Sequence, residues 1–397
     1  MSATDAPSGG ERRPPPIRGR PATGTGTRAG EAWRTPLFLP LLTSGDPGRV
    51  TGGYLYHRRL AELAPRFGAR VPFVPLPERR FPIPLVGAPA LLDRATTSAD
   101  ALLVDSIVAA FVGPWLPLRR PGVPLVLVAH QPPGGIDHGP SRTRWQRRMD
   151  LMAYRRADLV IAASELLRRE LVAAGVPAER IRVVPPGRDP APPPPERSDL
   201  RRGRQLALLC VANWIPRKGT LELLEAVARL PPAVATLHLV GDDRADPRYA
   251  ARVRARLRRA DLAGRVVVHG PVSRERVAGL YRDADAFVLP SVREPYGTVY
   301  GEAMAAGLPV VGWRAGNLPH LADHEVEGLL VQPGDVEGLA RAIRRLAVEG
   351  DLRRRLAVAA LARGRRRPTW ERSIGAFLEH VRELLGESGR GAKEEPA

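Results

Sequence analysis

The sequence predicts an α/β protein made of two doubly wound parallel-sheet domains in tandem, and three observations carry that reading. Apolar runs of strand length alternate with amphipathic runs of helix length on both sides of residue 190, the pattern of parallel strands joined by crossover helices. A segment reading RDPAPPPPE at 188–196 separates the two series. Its prolines supply no N–H for a ladder or a helix, so it reads as a stiff linker. The 397 residues also exceed one ordinary core and suit two.

In chain order, residues 1–34 carry Pro, Gly, Thr and charge without apolar periodicity and are expected to be disordered. The first domain, 35–187, starts with a strand from Leu37 to Leu42, a Gly-rich loop from Ser44 to Gly53 and a helix from Tyr54 to Phe67. Further strands are expected from Leu102 to Val104, Val123 to Val128 and Leu159 to Ala162, before Val183 to Gly187 ends the half. The linker is set at 188–204. In the second domain, 205–368, strands are expected from Leu206 to Val211, Thr236 to Val240, Arg265 to His269, Ala286 to Leu289, Pro309 to Gly312 and Gly328 to Val331. Helices are expected from Leu221 to Leu230, Arg248 to Arg259 and Val277 to Tyr281. A closing helix within 369–387 aligns Trp370, Ile374, Phe377, Val381 and Leu384 on one stripe and is free to return to the first domain; 388–397 reads as a disordered tail. Ligands of such paired domains are expected in the cleft at the carboxyl ends of the strands.

Composition removes several function classes. The lone cysteine, Cys210, allows no internal disulfide and no Cys/His metal cluster, which suits a reducing, cytoplasmic setting. No run approaches the ~20 apolar residues of a membrane span. The net charge of +19 suggests nucleic acid, but 27 arginines oppose 16 acidic groups up to residue 190 and 34 basic groups oppose 26 acidic ones beyond it, so the charge is spread rather than gathered. A diffuse positive field recruits anionic small molecules or acidic lipid surfaces, and nucleic acid is not an expected partner. From 142 to 156, six arginines interleave with Trp145, Met149, Leu151, Met152 and Tyr154, a composition suited to peripheral contact with an anionic membrane through 141–156.

The most informative stretch runs from Arg293 to Val311. Glu294 lies in a turn after a buried strand, Pro295 and Gly297 break the chain, and Glu302 falls on the helix that follows. A helix start attracts anionic oxygens, and carboxylates accept hydrogen bonds from hydroxyls, so the stretch suits a phosphorylated, polyhydroxylated ligand. Lys218 stands between a strand and a helix beside Gly219, one of two lysines in the chain, and its ammonium can neutralise a diphosphate without a metal ion. His320 and His324 have the spacing of helical metal ligands but no evident third ligand, and no metal is expected.

The second half resembles a family 4 retaining glycosyltransferase of the GT-B fold, two Rossmann-like domains facing a central cleft. The resemblance is carried in family order by NWIPRKG at 213–219, LVGDD at 239–243, LYRDADAFVLPS at 280–291, the paired glutamates, AGNLP at 315–319 and EGLLVQPGD at 327–335. The first half matches more loosely through TGGY at 51–54, His130 after a strand, Ser164 before a helix and VPPG at 184–187.

The resemblance implies metal-independent transfer of a hexosyl unit from a nucleotide-diphospho-sugar to a hydroxyl acceptor, without a cofactor. It implies catalytic roles for His130, Glu294 and Lys218. Donor contacts fall to Gly52, Gly53, Asn213, Arg217, Lys218, Tyr296, Gly297, Thr298, Val299 and Glu302, with the 296–299 amides cradling sugar or phosphate oxygens. Asn213 stands where the family has an arginine, so either Arg217 or Arg244 supplies a second cation or leaving-group stabilisation is weaker. The competing readings are another GT-B enzyme, such as a nucleotide-sugar epimerase or a phosphorylase, and a catalytically silent sugar-nucleotide binder.

Overall fold

A computed structural model describes residues 36–45, 52–77, 83–119, 121–137, 139–189 and 198–386. The expectations for 1–34, for 46–51 of the Gly-rich loop, for 190–197 of the linker and for the tail from 388 therefore lie outside the described residues.

Two six-stranded sheets carry the chain, and every pairing in them is parallel. The first sheet orders its strands as Phe73–Leu76, Leu41–Ser44, Leu102–Asp105, Leu125–Ala129, Leu159–Ala162 and Ile181–Val183. The second orders Val266–Gly270, Ala235–Val240, Leu206–Val211, Ala286–Val288, Val310–Trp313 and Gly328–Val331. Inner strands such as Leu206–Val211 and Leu125–Ala129 are almost wholly buried, as sheets covered on both faces require. In each sheet the order reverses next to the first long strand, leaving a crevice at the carboxyl ends. Asn213, Lys218 and Glu294 flank the crevice of the second sheet; Gly52, Gly53 and His130 flank that of the first.

Several boundaries differ from the sequence reading for local reasons. Pro40 splits the opening strand into Leu37–Phe38, which pairs with Ala69–Arg70, and Leu41–Ser44. The helix behind the glycine loop begins at Gly52 and passes at Ala64–Phe67 into a 3₁₀ turn containing Pro65. Gly68 ends that turn in the left-handed region, at φ 64°.

The closing helix, Trp370–Leu384, buries Trp370, Ile374, Phe377 and Val381 against Tyr56, Leu60, Val126 and Ile161 of the first sheet's layer. The chain thus crosses between the sheets twice, and the crossings touch. Arg188 N donates to Pro368 O at 2.9 Å, and a Cβ on Gly187 would collide with the Trp370 backbone. Ser164 Oγ adds a link to Pro295 O at 2.8 Å.

Candidate active site

The segment after Leu206–Val211 sets the lysine. Gly241, at φ 144°, packs so closely on Ala212 that a Cβ there would overlap the Ala212 carbonyl. Asn213 Oδ1 accepts from Asp242 N at 3.1 Å, which ties the two loops together. Pro216–Lys218 then form a 3₁₀ turn, and Gly219, at φ 72°, starts the helix Thr220–Ala228. A side chain at 219 would strike the Pro290 carbonyl. Gly219→Ala is therefore expected to cost about 1–3 kcal/mol in a urea melt and to lower kcat by displacing Lys218.

Lys218 Nζ donates to Glu294 Oε2, and both side chains are largely enclosed, at 11% and 13% exposure. Arg217 joins them: Nη1 lies 3.7 Å from Glu294 Oε2, Nη1 donates to Arg293 O at 3.0 Å, and Nε donates to Asp137 Oδ1 across the cleft at 2.8 Å. Arg244 instead pairs with Asp242 and is 79% exposed. The second cation beside Glu294 is therefore Arg217. Asn213 acts here as a brace, with its oxygen already engaged.

The Glu294 turn is clamped from the next strand. Asn317 N donates to Glu294 O at 2.8 Å and Asn317 Nδ2 to Tyr296 O at 2.7 Å. Gly316, at φ 56°, would place a Cβ 2.6 Å from Glu294 N, so the Ala-Gly-Asn sequence is a close-approach requirement. Gly297 caps the helix Thr298–Ala305 in the left-handed region at φ 82°, and no side chain caps that helix. The first-turn amides of Thr298 and Val299 are therefore left for an anionic oxygen. The Tyr296 ring is buried under the Arg367 guanidinium and its hydroxyl donates to Pro186 O at 3.1 Å, so the side chain anchors the turn to the crossing.

Glu302 lies on the same helix. Tyr281 Oη donates to Glu302 Oε2 at 3.3 Å, and Arg274 Nη2 stands 3.6 Å from Oε1. Burial pushes the carboxyl up from its ordinary value, and Arg274 opposes that shift. Arg274 also pairs with Asp189, which accepts from Arg59 at 2.8 Å, so an ionic chain runs from Glu302 to the helix behind the glycine loop. On the facing side, a Cβ on Gly52 would sit 3.4 Å from Thr298 Oγ1, and one on Gly53 would sit 3.6 Å from the His130 ring. The two glycines thus bring backbone toward the uncapped helix start and His130.

His130 ends the strand Leu125–Ala129, and its Nε2 shares a 3.0 Å hydrogen bond with His57 Nε2. Both imidazoles are lowered to about 3, chiefly by burial; for His130 the neighbouring His57 contributes to the lowering and Asp105 opposes it. Between pH 6.5 and 3 the unfolded chain takes up protons that the folded chain refuses. Stability therefore falls as pH drops through that window, by about 1.4 kcal/mol per pH unit for each proton. Asp105, raised by burial, offsets part of the loss above pH 3.8. The urea midpoint is expected to be lower at pH 5 than at pH 7, with a shallower dependence in His57→Leu; equal slopes would contradict the assignment.

Sequence reasoning missed His57, Asp105, Arg274 and Asn317 as site residues. The signals were a histidine on the apolar stripe of Gly52–Leu63, an aspartate ending the otherwise apolar strand Leu102–Asp105, and the Ala-Gly-Asn motif. The histidine pair 320/324 does not share a helix. The turn Leu318–Leu321 ends before His324, whose Nδ1 accepts from Leu330 N at 3.0 Å.

Residues 205–349 match the family model described as glycosyl transferases group 1, and residues 42–192 match the one described as glycosyltransferase family 4. The chain belongs to glycosyltransferase family 4. A D-inositol 3-phosphate glycosyltransferase of Xylanimonas cellulosilytica is 30% identical over 287 residues, 67% of each chain. A GDP-mannose-dependent alpha-(1-6)-phosphatidylinositol monomannoside mannosyltransferase of Mycobacterium tuberculosis is 30% identical over 224 residues, 52% of this chain and 56% of the relative. In fold, the chain is similar to Anabaena HepE crystallised with UDP and glucose, with a TM-score of 0.72, 24% identity and coverage of 87% and 100%. It is similar also to a sucrose-phosphate synthase of Thermosynechococcus elongatus, with a TM-score of 0.73, 21% identity and coverage of 88% and 99%. These neighbours share the GT-B architecture of the family 4 enzyme.

Proposed function

We propose that this glycosyltransferase moves a hexosyl unit from a nucleotide-diphospho-sugar to a hydroxyl acceptor, with retention at the anomeric carbon and without a metal ion. The observation that carries the reading is the contact of Lys218 and Arg217 with Glu294 beside the uncapped start of the helix that bears Glu302. Two cations and the Thr298 and Val299 amides would take the charge that gathers on the departing diphosphate, the part a metal plays elsewhere. Glu302 would accept from the ribose hydroxyls. Glu294, neutralised by two cations, is a weak nucleophile; it would orient the sugar while leaving group and acceptor exchange on one face. Domain closure would exclude water and limit hydrolysis.

The relatives' names mention GDP-mannose, and the HepE structures contain UDP or UDP-glucose, so UDP- and GDP-hexoses are the first donors to try. The inositol phosphate and phosphatidylinositol mannoside of those names make a phosphate-bearing polyol the first acceptor to try. Nucleotide release with and without EDTA, and the anomeric configuration of the product by NMR, test the proposal. Inversion, or loss of activity in EDTA that added divalent metal restores, would overturn it.

We further propose a cytoplasmic enzyme capable of peripheral contact with an anionic membrane through 141–156. No helix among the described residues is long and apolar enough to cross a bilayer. The helix Pro140–Tyr154 buries Gln146, Asp150, Ala153 and Tyr154 and presents Trp145, 62% exposed, among its arginines. Ile83, Val86 and Leu118 of the same domain are also exposed. Trp145→Ala is expected to lower flotation with acidic liposomes several-fold; no flotation of the wild type at low salt would remove the membrane from the account.

A further inference from the structure

We propose that His57 and Asp105 are positioning residues that fix the tautomer of His130, so that His130 presents a bare Nδ1 and accepts a hydrogen bond from a hydroxyl of the bound sugar. The inference rests on the reading that His130 faces the donor. Its structural part, the tautomer, stands on the geometry of the pair.

The Nε2···Nε2 separation of 3.0 Å requires one ring to carry the proton and the other the lone pair. The carboxylate decides which. Asp105 Oδ2 lies 3.7 Å from His57 Nδ1, and neither side chain reaches solvent. Three donors hold that carboxylate in place: Thr43 Oγ1 on Oδ2 at 3.1 Å, and Ser106 Oγ at 3.2 Å and Ile107 N at 3.1 Å on Oδ1. The Ser106 hydroxyl is itself oriented, since its oxygen accepts from His130 N at 3.2 Å. His57 Nδ1 has no hydrogen-bond partner among the described residues. Burial raises the Asp105 carboxyl, but its three donors oppose that shift; against the carboxylate they hold, a lone pair on His57 Nδ1 would be repelled, whereas an N–H there is attracted. His57 is therefore protonated on Nδ1, its Nε2 accepts from Nε2–H of His130, and His130 Nδ1 is left bare.

His130 is half-buried, unlike His57, and its Nδ1 has no hydrogen-bond partner among the described residues. The ligand group it meets must carry a hydrogen, which a hydroxyl does and a fluorine or ether oxygen does not. Desolvation and the neighbouring His57 keep the second proton away, so His130 accepts at Nδ1 and does not act as an acid there. His57, Asp105 and His130 also have ligand atoms within 4.8 Å of one another. The carboxylate oxygens and both Nε2 atoms are, however, committed to the hydrogen bonds above, and a bound metal is the competing outcome.

Long-range ¹H–¹⁵N spectra of the ¹⁵N-histidine-labelled full chain test the proposal, with His130 assigned from a His130→Gln sample. The wild type is expected to show His130 protonated on Nε2 and bare on Nδ1, with no stoichiometric metal by elemental analysis. In folded His57→Leu or Asp105→Asn protein, the His130 signal should move toward a tautomer mixture. With transferase activity in hand, kcat should fall about 10-fold while the KM for the donor stays within about 2-fold. A wild-type His130 protonated on Nδ1, or one equivalent of bound metal, would overturn the proposal. Absence of sugar transfer alongside the expected tautomer would instead count against the function proposed above.

Discussion

Lys218→Ala is expected to lower kcat by about 10²–10³-fold, the cost of losing one preorganised charge at a developing anion, while raising the donor KM far less. The ammonium is held by Glu294, with Arg217 3.7 Å from the same carboxylate oxygen. It needs little reorganisation when diphosphate arrives. Removing it leaves Glu294 with one cation and leaves the departing charge to Arg217 and the two helix-start amides. Lys218→Arg should recover only part of the rate, since the guanidinium is longer and planar and cannot take the ammonium's place beside Glu294. Single-turnover measurements with saturating donor separate this effect from binding. A kcat within about 3-fold of wild type would remove Lys218 from the chemistry.

Glu302→Ala is expected to act on binding. A carboxylate that accepts from two hydroxyls is worth about 1.5–3 kcal/mol per charge-assisted bond, so the nucleoside diphosphate Kd should rise by about 10²–10⁴-fold. The loss has a second route. Glu302 is a partner of Arg274, and its removal frees that guanidinium to bind Asp189 alone and weakens the ionic chain that reaches Arg59. Glu302→Gln keeps the shape and one acceptor oxygen and should fall between wild type and alanine. Titration calorimetry with UDP and GDP gives the three affinities, and equal values would defeat the ribose assignment.

The second domain was legible because its strands are continuous apolar runs bounded by Gly, Pro and Asp. Leu206–Val211 and Gly328–Val331 coincide with their predicted bounds. The first domain hid two elements behind prolines. Phe73–Leu76 contains Pro75, which a central strand would reject; it lies at the sheet edge, where a missing N–H is tolerated. Pro84–Thr96 contains Pro84 in its first turn, where no donor is needed, and Pro89 inside, so punctuation that reads as loop is helical. The strand Ile181–Val183 was absorbed into the approach to the linker.

Of the site, Lys218, Glu294, Gly297 and Glu302 were readable because each sits in a short motif with its neighbours. The brace made by Asn213 was not, because Asp242 reaches it from a different loop. The relay behind His130 was hidden for the same reason. His57 is 73 residues from His130, and only folding of the helix Gly52–Leu63 onto the sheet makes them neighbours. No local pattern announces that pairing.

The central claim is that a nucleotide-diphospho-sugar binds with its diphosphate on Lys218 and its ribose on Glu302. The most direct measurement is a structure of the protein with its best-binding UDP- or GDP-hexose, solved in EDTA. Diphosphate oxygens are expected within hydrogen-bond reach of Lys218 Nζ and the Thr298 and Val299 amides, with Glu302 on the ribose hydroxyls and no metal between the phosphates. A donor bound elsewhere, or a diphosphate that leaves Lys218 on Glu294 and bonds only to the first domain, would contradict the claim.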